Sequence, residues 1–334
     1  MKKALVIINI GTPDQPEKKA VKRYLTEFLN DGLVIDIPWL LRKILVNLII
    51  IPFRVSKSTS LYKRLWTKEG SPLLSYQTNL ANKLDEKLGA EVDVFSAMRY
   101  GNPSIKSVFN QVKKGNYDEV VVLPMYPQYA TSTTLSTELK VKEVVQELNL
   151  DVNIRFIEQF YNHPSFIKTF TAKIKDCDFD SYDHIIFSYH GLPERQVNKI
   201  HPGIESPTCS CHIQMPEHGK MCYKATCYET TRLMAKELGI DNSFYSVSFQ
   251  SRLSKNWLTP FTDHNIEELL KKGNKRILVV APAFVTDCLE TIVEIGFEYK
   301  RDFIQNGGEQ LKLVESLNDD DLWADTIIEI AELN

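Results

Sequence analysis

The amino-acid sequence predicts an α/β fold of two similar doubly wound, Rossmann-like halves, each with a parallel sheet covered by helices. Short β-branched runs alternate with amphipathic segments of helical length, which is the pattern of parallel α/β units. The same order occurs twice, with one strand of each half running into a glycine-containing turn and a later strand leading through a loop into a helix. A chain of 334 residues, 43% of them hydrophobic, is also longer than a typical single domain.

We expect the two halves to join near Leu150. The first half then spans residues 1–150 together with a C-terminal helix of about residues 319–334, and the second half spans residues 151–318. The predicted strands are Ala4 to Ile10, Glu91 to Ala97, Glu119 to Pro124, Asn153 to Phe156, His184 to Ser188, Ser243 to Ser248 and Arg276 to Ala281.

Helical patterns fill the intervals between these strands. Their apolar residues recur at the spacing of an amphipathic α-helix. The clearest are Pro72 to Leu88, Ser104 to Lys114, Leu135 to Leu148, His163 to Lys175, Cys222 to Leu238 and Asn265 to Lys272.

From the charge balance we do not expect a nucleic-acid partner. Forty Lys and Arg residues against 43 Asp and Glu residues give a net charge of −3, and no basic tract is present. A protein that neutralises backbone phosphates normally shows a concentrated positive patch. The composition is typical of a globular protein with a hydrophobic core. It does not predict an oligomeric state.

The sequence shows no segment that we expect to span a bilayer. The N-terminal apolar run ends at Ile10 and Gly11 without a small-residue cleavage site, so it predicts a buried strand rather than a signal peptide. The most apolar later stretch, Leu33 to Phe53, is interrupted by charged residues and retains an apolar helix from about Pro38 to Ile51. We interpret that helix first as core or the lip of a pocket, and second as shallow, peripheral membrane contact.

Chemistry is expected where the strands end, because ligands of open parallel sheets bind beyond the carboxyl ends of the strands. No strand is followed by Gly-x-Gly-x-x-Gly or by a Walker loop, so the usual phosphate cradles of dinucleotide and nucleoside triphosphate sites are missing. One strand instead runs into His190, Gly191, Leu192 and Pro193. An imidazole at such a position can take up a proton or bind a divalent metal.

An acidic stripe follows the last predicted strand. If Thr286 or Asp287 caps a helix there, Glu290, Glu294 and Glu298 recur every four residues on one face. Like charges at this spacing repel, and a cation or a proton at the start of the stripe would offset the repulsion. The pattern predicts a path of carboxylates that leads a metal ion inward to the histidine and protons outward.

Four of the six cysteines lie within nineteen residues, at Cys209, Cys211, Cys222 and Cys227. Clustering of soft ligands at this density indicates a metal site rather than a disulfide scaffold. Free thiols and the missing export signal together predict a cytoplasmic location.

The motifs around these residues resemble those of the ferrochelatase family, the enzymes that insert Fe2+ into a porphyrin at the end of haem synthesis. The resemblance covers nearly the whole chain and implies a chelatase-like fold of two halves with the porphyrin in the cleft between them. The motifs that carry it are Met98-Arg99-Tyr100, Tyr126-Pro127-Gln128-Tyr129 with Ser132-Thr133-Thr134, Ser188-Tyr189-His190-Gly191-Leu192-Pro193-Glu194, Phe249-Gln250-Ser251-Arg252 with Trp257-Leu258, and Thr286-Asp287-Cys288-Leu289-Glu290-Thr291.

The resemblance implies that His190 and Glu290 are the iron-binding residues and that Glu294 continues the acidic path. Metal entry requires that the pyrrole nitrogens lose two protons and that the ion loses its water. His190 therefore accepts pyrrole protons or coordinates the iron, and the sequence leaves both roles open. Replacement of His190 by Ala is expected to abolish insertion and to leave porphyrin binding intact.

A porphyrin needs apolar walls for its ring and cations or hydroxyls for its propionates. The wall candidates are Ile10, Tyr62, Tyr126, Trp257 and Phe284. The rim candidates are Arg99, Tyr100, Ser132, Thr133 and Arg252. The apolar segment Ile35 to Phe53 resembles the family's lip over the pocket mouth, and with Arg99 it favours protoporphyrin IX over coproporphyrin III as substrate.

Some ferrochelatases carry a [2Fe-2S] cluster. We do not expect the animal arrangement, because the sequence ends at Asn334 without the C-terminal extension and has Thr131 at the position of the animal cysteine. The resemblance therefore favours an internal [2Fe-2S] cluster on the four clustered cysteines, with Zn2+ as the rival. Two alternative functions stay open: a cobalt or nickel tetrapyrrole chelatase of the same fold, and a non-catalytic haem or metal carrier.

Overall fold

The structure, a computed structural model, describes residues 2–333. It divides the chain into two compact units, of which the first comprises Met1–Tyr126, Thr131–Gln159 and Asp319–Asn334. The second comprises Pro127–Ala130 and Phe160–Asn318. Each unit contains a four-stranded, all-parallel sheet with helices between its strands. The predicted α/β fold with two parallel sheets is confirmed.

The sheet of the first unit has the order β2-β1-β3-β4. Its central strand is buried throughout Ala4 to Ile8, because helices cover both faces and every side chain of the strand meets apolar neighbours. The strands of this unit are β1 (Lys3–Thr12), β2 (Val92–Gly101), β3 (Glu119–Pro124) and β4 (Asn153–Phe156). The α-helices are α1 (Lys18–Leu29), α2 (Trp39–Ile44), α3 (Ile51–Leu65), α4 (Pro72–Leu88), α5 (Ile105–Gly115) and α6 (Ser136–Glu147), with α12 (Asp321–Ile330) at the C-terminal end.

The sheet of the second unit has the order β6-β5-β7-β8. Its core lies between Ile186 on β5, Ile277 and Val279 on β7 and the helices that follow them. The strands are β5 (His184–His190), β6 (Tyr245–Gln250), β7 (Arg276–Val280) and β8 (Gln310–Leu313). The α-helices are α7 (Pro164–Lys175), α8 (Glu194–Asn198), α9 (Tyr223–Leu238), α10 (Thr262–Lys271) and α11 (Lys300–Gln305).

Both sheets place their first strand between their second and third strands. Strand β1 pairs with β2 and β3, and β5 pairs with β6 and β7. The connections from such a central strand run in opposite directions, which leaves a crevice at its carboxyl end. The residues that follow β5 and β7 therefore border the crevice of the second sheet.

Two sequence expectations differ from this architecture. Strand β4 pairs with β3 through Val122 and Phe156, so the first sheet continues beyond Leu150, where we expected the first half to end. Strand β8 was not predicted, because its four residues alternate polar and apolar side chains over too short a run.

The apolar segment after α1 is helical from Trp39 onward. Helix α2, a π-helical stretch Leu45–Ile50 and α3 follow one another without a break. Large apolar side chains on it are exposed, including Trp39 at 63%, Leu48 at 69% and Phe53 at 83%. The interpretation of this face as core is wrong, since only side chains such as Val46 and Ile51 are buried. Within residues 2–333, no helix has the length and apolar character required to cross a membrane.

Candidate active site

His190 is the last residue of β5 and lies at the crevice of the second sheet. It pairs in register with Gln250, the last residue of β6. The hydroxyl of Tyr223, at the start of α9, donates a hydrogen bond to the backbone carbonyl of His190 at 2.9 Å. The backbone of the histidine is thus held from two sides.

The imidazole of His190 is held in one orientation. Its Nδ1 lies 2.6 Å from the carbonyl oxygen of Gly191, so Nδ1 carries the proton and donates. The rings of Trp257 and Phe284 flank it at centroid distances of 6.4 and 6.3 Å. Because Nδ1–H is engaged, Nε2 keeps its lone pair for a proton or a metal ion.

Gly191 is required at its position by space. A Cβ there would lie 2.8 Å from the backbone oxygen of Gln250 and 3.3 Å from the Trp257 ring. Its N–H donates to the same Gln250 oxygen at 2.7 Å. The close approach of β5 and β6 at this point fixes the carbonyl that orients the histidine.

The acidic stripe lies on a π-helix, Leu289–Tyr299, which we call the acidic π-helix. The N-cap is Cys288 rather than Thr286 or Asp287: its Sγ accepts from the backbone of Thr291, and its N–H donates to Thr291 Oγ1 at 2.9 Å. Hydrogen bonds from residue i to i+5 widen the helix, and such segments are frequent at functional sites. Glu290 is half-buried in the first turn.

Glu294, one turn further, has a complete set of partners. Ser251 donates from its N–H at 3.1 Å and from its Oγ at 2.6 Å, and the hydroxyl of Tyr299 donates at 2.7 Å. Burial raises the pKa of Glu294 above its ordinary value, and the charge of Glu290 adds to this rise. The two hydroxyls, and His190 in its protonated form, act in the opposite direction without cancelling the rise.

The charges of Glu290 and His190 both affect the pKa of Glu294, so the three residues influence one another electrostatically. Gln250 also reaches this group: its Nε2 donates to the backbone carbonyl of Glu290 at 3.2 Å. Its Oε1 accepts from Ser188 at 2.6 Å. A chain of buried polar groups therefore connects the ends of β5 and β6 with the first turn of the acidic π-helix.

Ser251 and Tyr299 were not predicted as partners of Glu294. Ser251 stands in the motif Phe249-Gln250-Ser251-Arg252, which was the signal that could have found it. Its backbone has a φ of 63°, a left-handed conformation that is rare for serine and is frequent at functional sites. No feature of the sequence pointed to Tyr299, because its contact with Glu294 depends on the π-helical geometry.

Arg252, a rim candidate, is held by its own unit. Its guanidinium forms an ion pair with Asp263 and lies over the ring of Phe261 at 4.2 Å. A second nitrogen lies 3.1 Å from Nε2 of His264. Arg252 therefore does not extend freely into the solvent.

The rim candidates Arg99 and Tyr100 lie in the first unit and share one carboxylate. Arg99 forms an ion pair with Asp31 at 2.6 Å, and the Tyr100 hydroxyl donates to the same oxygen at 2.8 Å. Burial alone would raise the pKa of Asp31, but hydrogen bonds from Ser136, Leu33 and Tyr100 and the charge of Arg99 lower it.

A cavity of about 660 Å³ opens beside Arg99, Tyr100 and Asp31. Helix α1 contributes the other side of it, with lysines and an arginine among its lining residues. The other rim and wall candidates of this unit do not line it.

The remaining candidates of the first unit lie apart from this cavity. Tyr62 is buried and meets Tyr24 edge to face at 6.2 Å, and Tyr126 is buried directly after β3. Ile10 is half-buried near the end of β1. Ser132 and Thr133 lie on a short π-helix, Thr131–Leu135, which leads into α6.

The four clustered cysteines are buried and unpaired. Their thiols act on one another electrostatically: Cys209 and Cys222 on Cys211, and Cys211 and Cys222 on Cys227. Burial raises the pKa of Cys211 to about 12, while the nearby Lys224 ammonium lowers it. All four are soft sulfur donors, the ligand type of both zinc and iron–sulfur sites.

Two histidines that the sequence analysis did not assign lie beside these sulfurs. His201 Nε2 is 3.2 Å from Cys222 Sγ, and His218 Nε2 is 3.5 Å from Cys209 Sγ. Across residues 2–333, no group of three or more His, Cys, Asp and Glu side chains converges closely enough to hold one metal ion.

Comparison with known proteins gives consistent results over the whole chain. A family model described as ferrochelatase matches residues 2–334. The ferrochelatase of Coxiella burnetii (strain Dugway 5J108-111) is 41% identical over 98% of this chain and 92% of its own length. That of Legionella pneumophila (strain Paris) is 40% identical over 98% of each chain. That of Pseudomonas fluorescens is 38% identical over 98% of this chain and 97% of its own.

Solved structures show the same fold at low identity. SirB from Bacillus subtilis with Fe3+ has a TM-score of 0.57 at 11% identity, covering 99% of this chain and 95% of its own. The sirohydrochlorin chelatase SirB from Bacillus subtilis subspecies spizizenii, in complex with cobalt, has a TM-score of 0.55 at 9% identity, covering 99% and 94%. This similarity shows the chelatase-like fold, whereas the sequence relatives and the family model define the family. The chain belongs to the ferrochelatase family of lyase-class metal chelatases.

Proposed function

We propose that the second unit carries the iron site, with His190 and Glu290 as the residues that meet the ion and Glu294 as the next acidic group. The observation that carries this proposal is the fixed imidazole at the crevice of the second sheet. Its Nδ1 is engaged by Gly191, and its free Nε2 shares an electrostatic environment with the two carboxylates.

The reaction of the family is insertion of Fe2+ into a porphyrin in haem synthesis, with release of two protons. His190 Nε2 supplies either a proton acceptor for a pyrrole nitrogen or a ligand for the ion, since its lone pair is free for both. Glu294 keeps its proton to a higher pH than a free glutamate, because its pKa is raised. That property suits a group which receives protons close to the site and passes them outward.

A small number of protein ligands fits a metal ion that is a substrate. An ion held by four protein ligands would be retained, as in a structural zinc site. His190 and Glu290 supply two donors and leave the other coordination positions to water and then to the porphyrin nitrogens. The ion is thus oriented toward transfer and is not stored.

The test of this site is a Glu290→Gln variant assayed for loss of porphyrin fluorescence with anaerobic Fe2+. Glutamine keeps the size of the side chain and removes its charge. We expect insertion to fall by about a hundredfold or more, with porphyrin binding unchanged. Wild-type turnover by Glu290→Gln would contradict the assignment.

We further propose that the ring packs against apolar walls and that its propionates meet a polar rim. The walls are Ile10, Tyr62, Tyr126, Trp257 and Phe284. The rim is Arg99, Tyr100, Ser132, Thr133 and Arg252. The flanking of His190 by the Trp257 and Phe284 rings supports this assignment.

The two rim arginines are already paired with carboxylates, and each guanidinium has five N–H donors. Arg99 uses Nε and Nη2 toward Ser136 and Asp31, so its other nitrogen is available for a propionate. A propionate at Arg99 or Arg252 would therefore add to the existing ion pair and not replace it.

Protoporphyrin IX is our proposed substrate, in preference to coproporphyrin III. The exposed apolar segment, with Trp39, Leu48 and Phe53, favours a substrate with a more apolar edge. A turnover assay that offers both porphyrins with anaerobic Fe2+ tests this choice. We expect the larger kcat/KM with protoporphyrin IX, and a larger value with coproporphyrin III would overturn it.

The same exposed segment supports peripheral contact with a membrane surface. Exposed Trp, Leu and Phe side chains on a helix partition into the headgroup boundary of a bilayer. Replacement of Leu48 and Phe53 by Ser should reduce sedimentation with phospholipid vesicles. Unchanged sedimentation would exclude this contact. The unpaired cysteines support a cytoplasmic location, where thiols stay reduced.

We propose that Cys209, Cys211, Cys222 and Cys227 hold a [2Fe-2S] cluster, which would supply an electron-transfer or structural centre. Four buried sulfurs support this proposal, and neighbouring thiols among them affect the pKa of Cys211 and of Cys227. Each iron of such a cluster needs only two cysteine ligands. The rival Zn2+ would need its ligands around one centre. An absorbance spectrum of anaerobically purified protein tests the proposal: visible sulfur-to-iron bands are expected, and stoichiometric zinc without such bands would contradict it.

A further inference from the structure

Asp287 is a buried carboxylate that the proposed reaction does not use. Its side chain is 5% exposed, and within residues 2–333 it forms no ion pair with a lysine, arginine or histidine. A buried charge without a counter-ion is strongly unfavourable unless hydrogen bonds stabilise it. The hydrogen bonds of Asp287 therefore indicate what holds it there.

Four donors converge on this carboxylate. Oδ1 accepts from Thr291 Oγ1 at 2.8 Å and from Ser316 Oγ at 3.0 Å. Oδ2 accepts from Asn318 Nδ2 at 2.8 Å and from the Ser316 N–H at 3.2 Å. The Asp287 N–H in turn donates to Asn318 Oδ1 at 2.8 Å. The carboxylate, Thr291, Ser316 and Asn318 form what we call the Asp287 anchor.

The anchor joins two segments that are distant in sequence. Asp287 and Thr291 stand on either side of Glu290, at the start of the acidic π-helix. Ser316 and Asn318 follow β8, and the Asn318 N–H also donates to the carbonyl of Val285 at 2.9 Å. The first turn of the π-helix is therefore fixed to the loop after β8.

A π-helix benefits from such external support, because this geometry is rare and seldom persists beyond a single turn. The carboxylate also lies at the N-terminal end of the helix, where exposed N–H groups favour negative charge. Gln250 holds the carbonyl of Glu290 from β6, whereas the anchor fixes the residues on both sides of Glu290.

We propose that Asp287 is a positioning residue for metal delivery: through Thr291, Ser316 and Asn318 it sets the place of the Glu290 carboxylate. This inference rests on the role of Glu290 in the proposed function. Asp287 itself does not contact the ion, since its oxygens are saturated by donors of the protein.

The test removes single donors and leaves the Asp287 carboxylate in place. Thr291→Val deletes one hydroxyl in a side chain of the same shape, and Thr291→Ser restores it. Asn318→Gly deletes the amide and keeps the left-handed backbone, with φ of 51°, that glycine tolerates. Asn149→Gly, at an exposed left-handed asparagine with φ of 47°, is the matched control.

The readouts are KM and kcat for Zn2+ insertion into protoporphyrin, the porphyrin Kd from fluorescence, and the melting temperature. Thr291→Val and Asn318→Gly should lower kcat/KM for the metal by about tenfold or more, mainly through KM, with the porphyrin Kd unchanged. Thr291→Ser and Asn149→Gly should retain wild-type values.

Wild-type kcat/KM for the metal in both Thr291→Val and Asn318→Gly would overturn the proposal, whether or not the melting temperature falls. A purely structural role would lower the melting temperature alone. The Glu290→Gln variant separates this inference from the proposed function. If Glu290→Gln is inactive and the donor variants are normal, only the anchor fails; if Glu290→Gln is active, the iron-site assignment fails.

Discussion

The two sheets have the same topology and end in different chemistry. Strand β1 and strand β5 each lie between their neighbours in the same order. Strand β1 ends in Ile10, Gly11 and Thr12, whereas β5 ends in Ser188, Tyr189 and His190. The fold therefore supplies two equivalent crevices, and the residues at the strand ends decide which one carries reactive groups.

The segments after the third strand of each sheet differ in the same way. Strand β3 leads to the buried phenol of Tyr126, while the loop after β7 leads to the acidic π-helix with Glu290 and Glu294. The second unit thus gathers the titratable groups, and the first unit presents aromatic and paired polar groups.

The largest effect is expected for His190→Ala. Loss of the free Nε2 removes the group that accepts a proton or binds the ion, and kcat should fall by about a thousandfold. His184, at the opposite end of the same strand, is the control: His184→Gln should retain wild-type kcat. Porphyrin fluorescence loss with anaerobic Fe2+ measures both, and equal activities for the two variants would remove the distinction between the strand ends.

Glu294→Gln is expected to reduce insertion by about tenfold to a hundredfold, because a partner of the metal site loses its titratable proton. Turnover with Fe2+ measures this loss. A variant with full turnover would show that the acidic path does not need this residue.

The same variant has a defined pH signature in stability. The pKa of Glu294 is raised in the folded state, so the unfolded chain ionises first and the wild type loses stability as the pH rises above 4.5. Glutamine has no such loss. The melting temperature of Glu294→Gln should therefore gain on the wild type as the pH rises above 4.5, and a difference that does not change with pH would contradict the raised pKa.

Gly11 and Gly191 lie at the carboxyl ends of β1 and β5, and substitutions there test the two strand ends against each other. A Cβ at Gly11, where φ is 107°, would lie 1.8 Å from the Tyr100 carbonyl oxygen, and a Cβ at Gly191 would lie 2.8 Å from that of Gln250. Gly11→Ala should lower the free energy of unfolding by about 3 kcal/mol or more, and Gly191→Ala by about 1–3 kcal/mol.

Activity should separate the two glycine variants. Gly191→Ala displaces the carbonyl that orients His190, so kcat per folded molecule should fall by about tenfold. Gly11→Ala is expected to act through stability. Urea unfolding and kcat at low temperature measure both effects, and normal kcat in folded Gly191→Ala would show that the imidazole does not depend on that carbonyl.

The smallest effect on catalysis is expected at His184, where a substitution should change only the stability. Burial lowers the pKa of His184 from 6.5 to about 4, with a further decrease from Lys272. Below pH 6.5 the unfolded chain takes up the proton first, so the wild type loses stability as the pH falls toward 4. His184→Gln should remove up to about 3 kcal/mol of this pH dependence, and melts of both proteins between pH 4 and pH 7 measure it.

The sequence predicted the fold well because buried parallel strands are continuous apolar runs bounded by turns. Strand β3 was predicted at its observed bounds, and α4 likewise. Strand β8 and the position of the boundary after β4 escaped prediction, because short edge strands take their pairing from tertiary structure. Leucine and tryptophan side chains on α2 were expected in a core or at the lip of a pocket, and they are exposed, since hydropathy alone does not tell a core face from a surface face.

The candidate site residues were chosen by residue type and by their positions after neighbouring strands. The charges of Glu290 and His190 act on Glu294, and the roles of the three residues stay predictions. The π-helix, the cap at Cys288 and the pairing of Arg99 with Asp31 were not predicted. The Arg99–Asp31 pair joins residues far apart in sequence, which residue spacing does not encode, and the cap at Cys288 depends on the π-helical start that the sequence pattern did not show.

The most direct test of the central claim is a crystal structure of the protein with porphyrin and Zn2+, with the metal located by anomalous scattering. We predict one peak at about 2.0–2.2 Å from both His190 Nε2 and a Glu290 carboxylate oxygen. A peak bound elsewhere, with His190 and Glu290 both free of metal, would contradict the account.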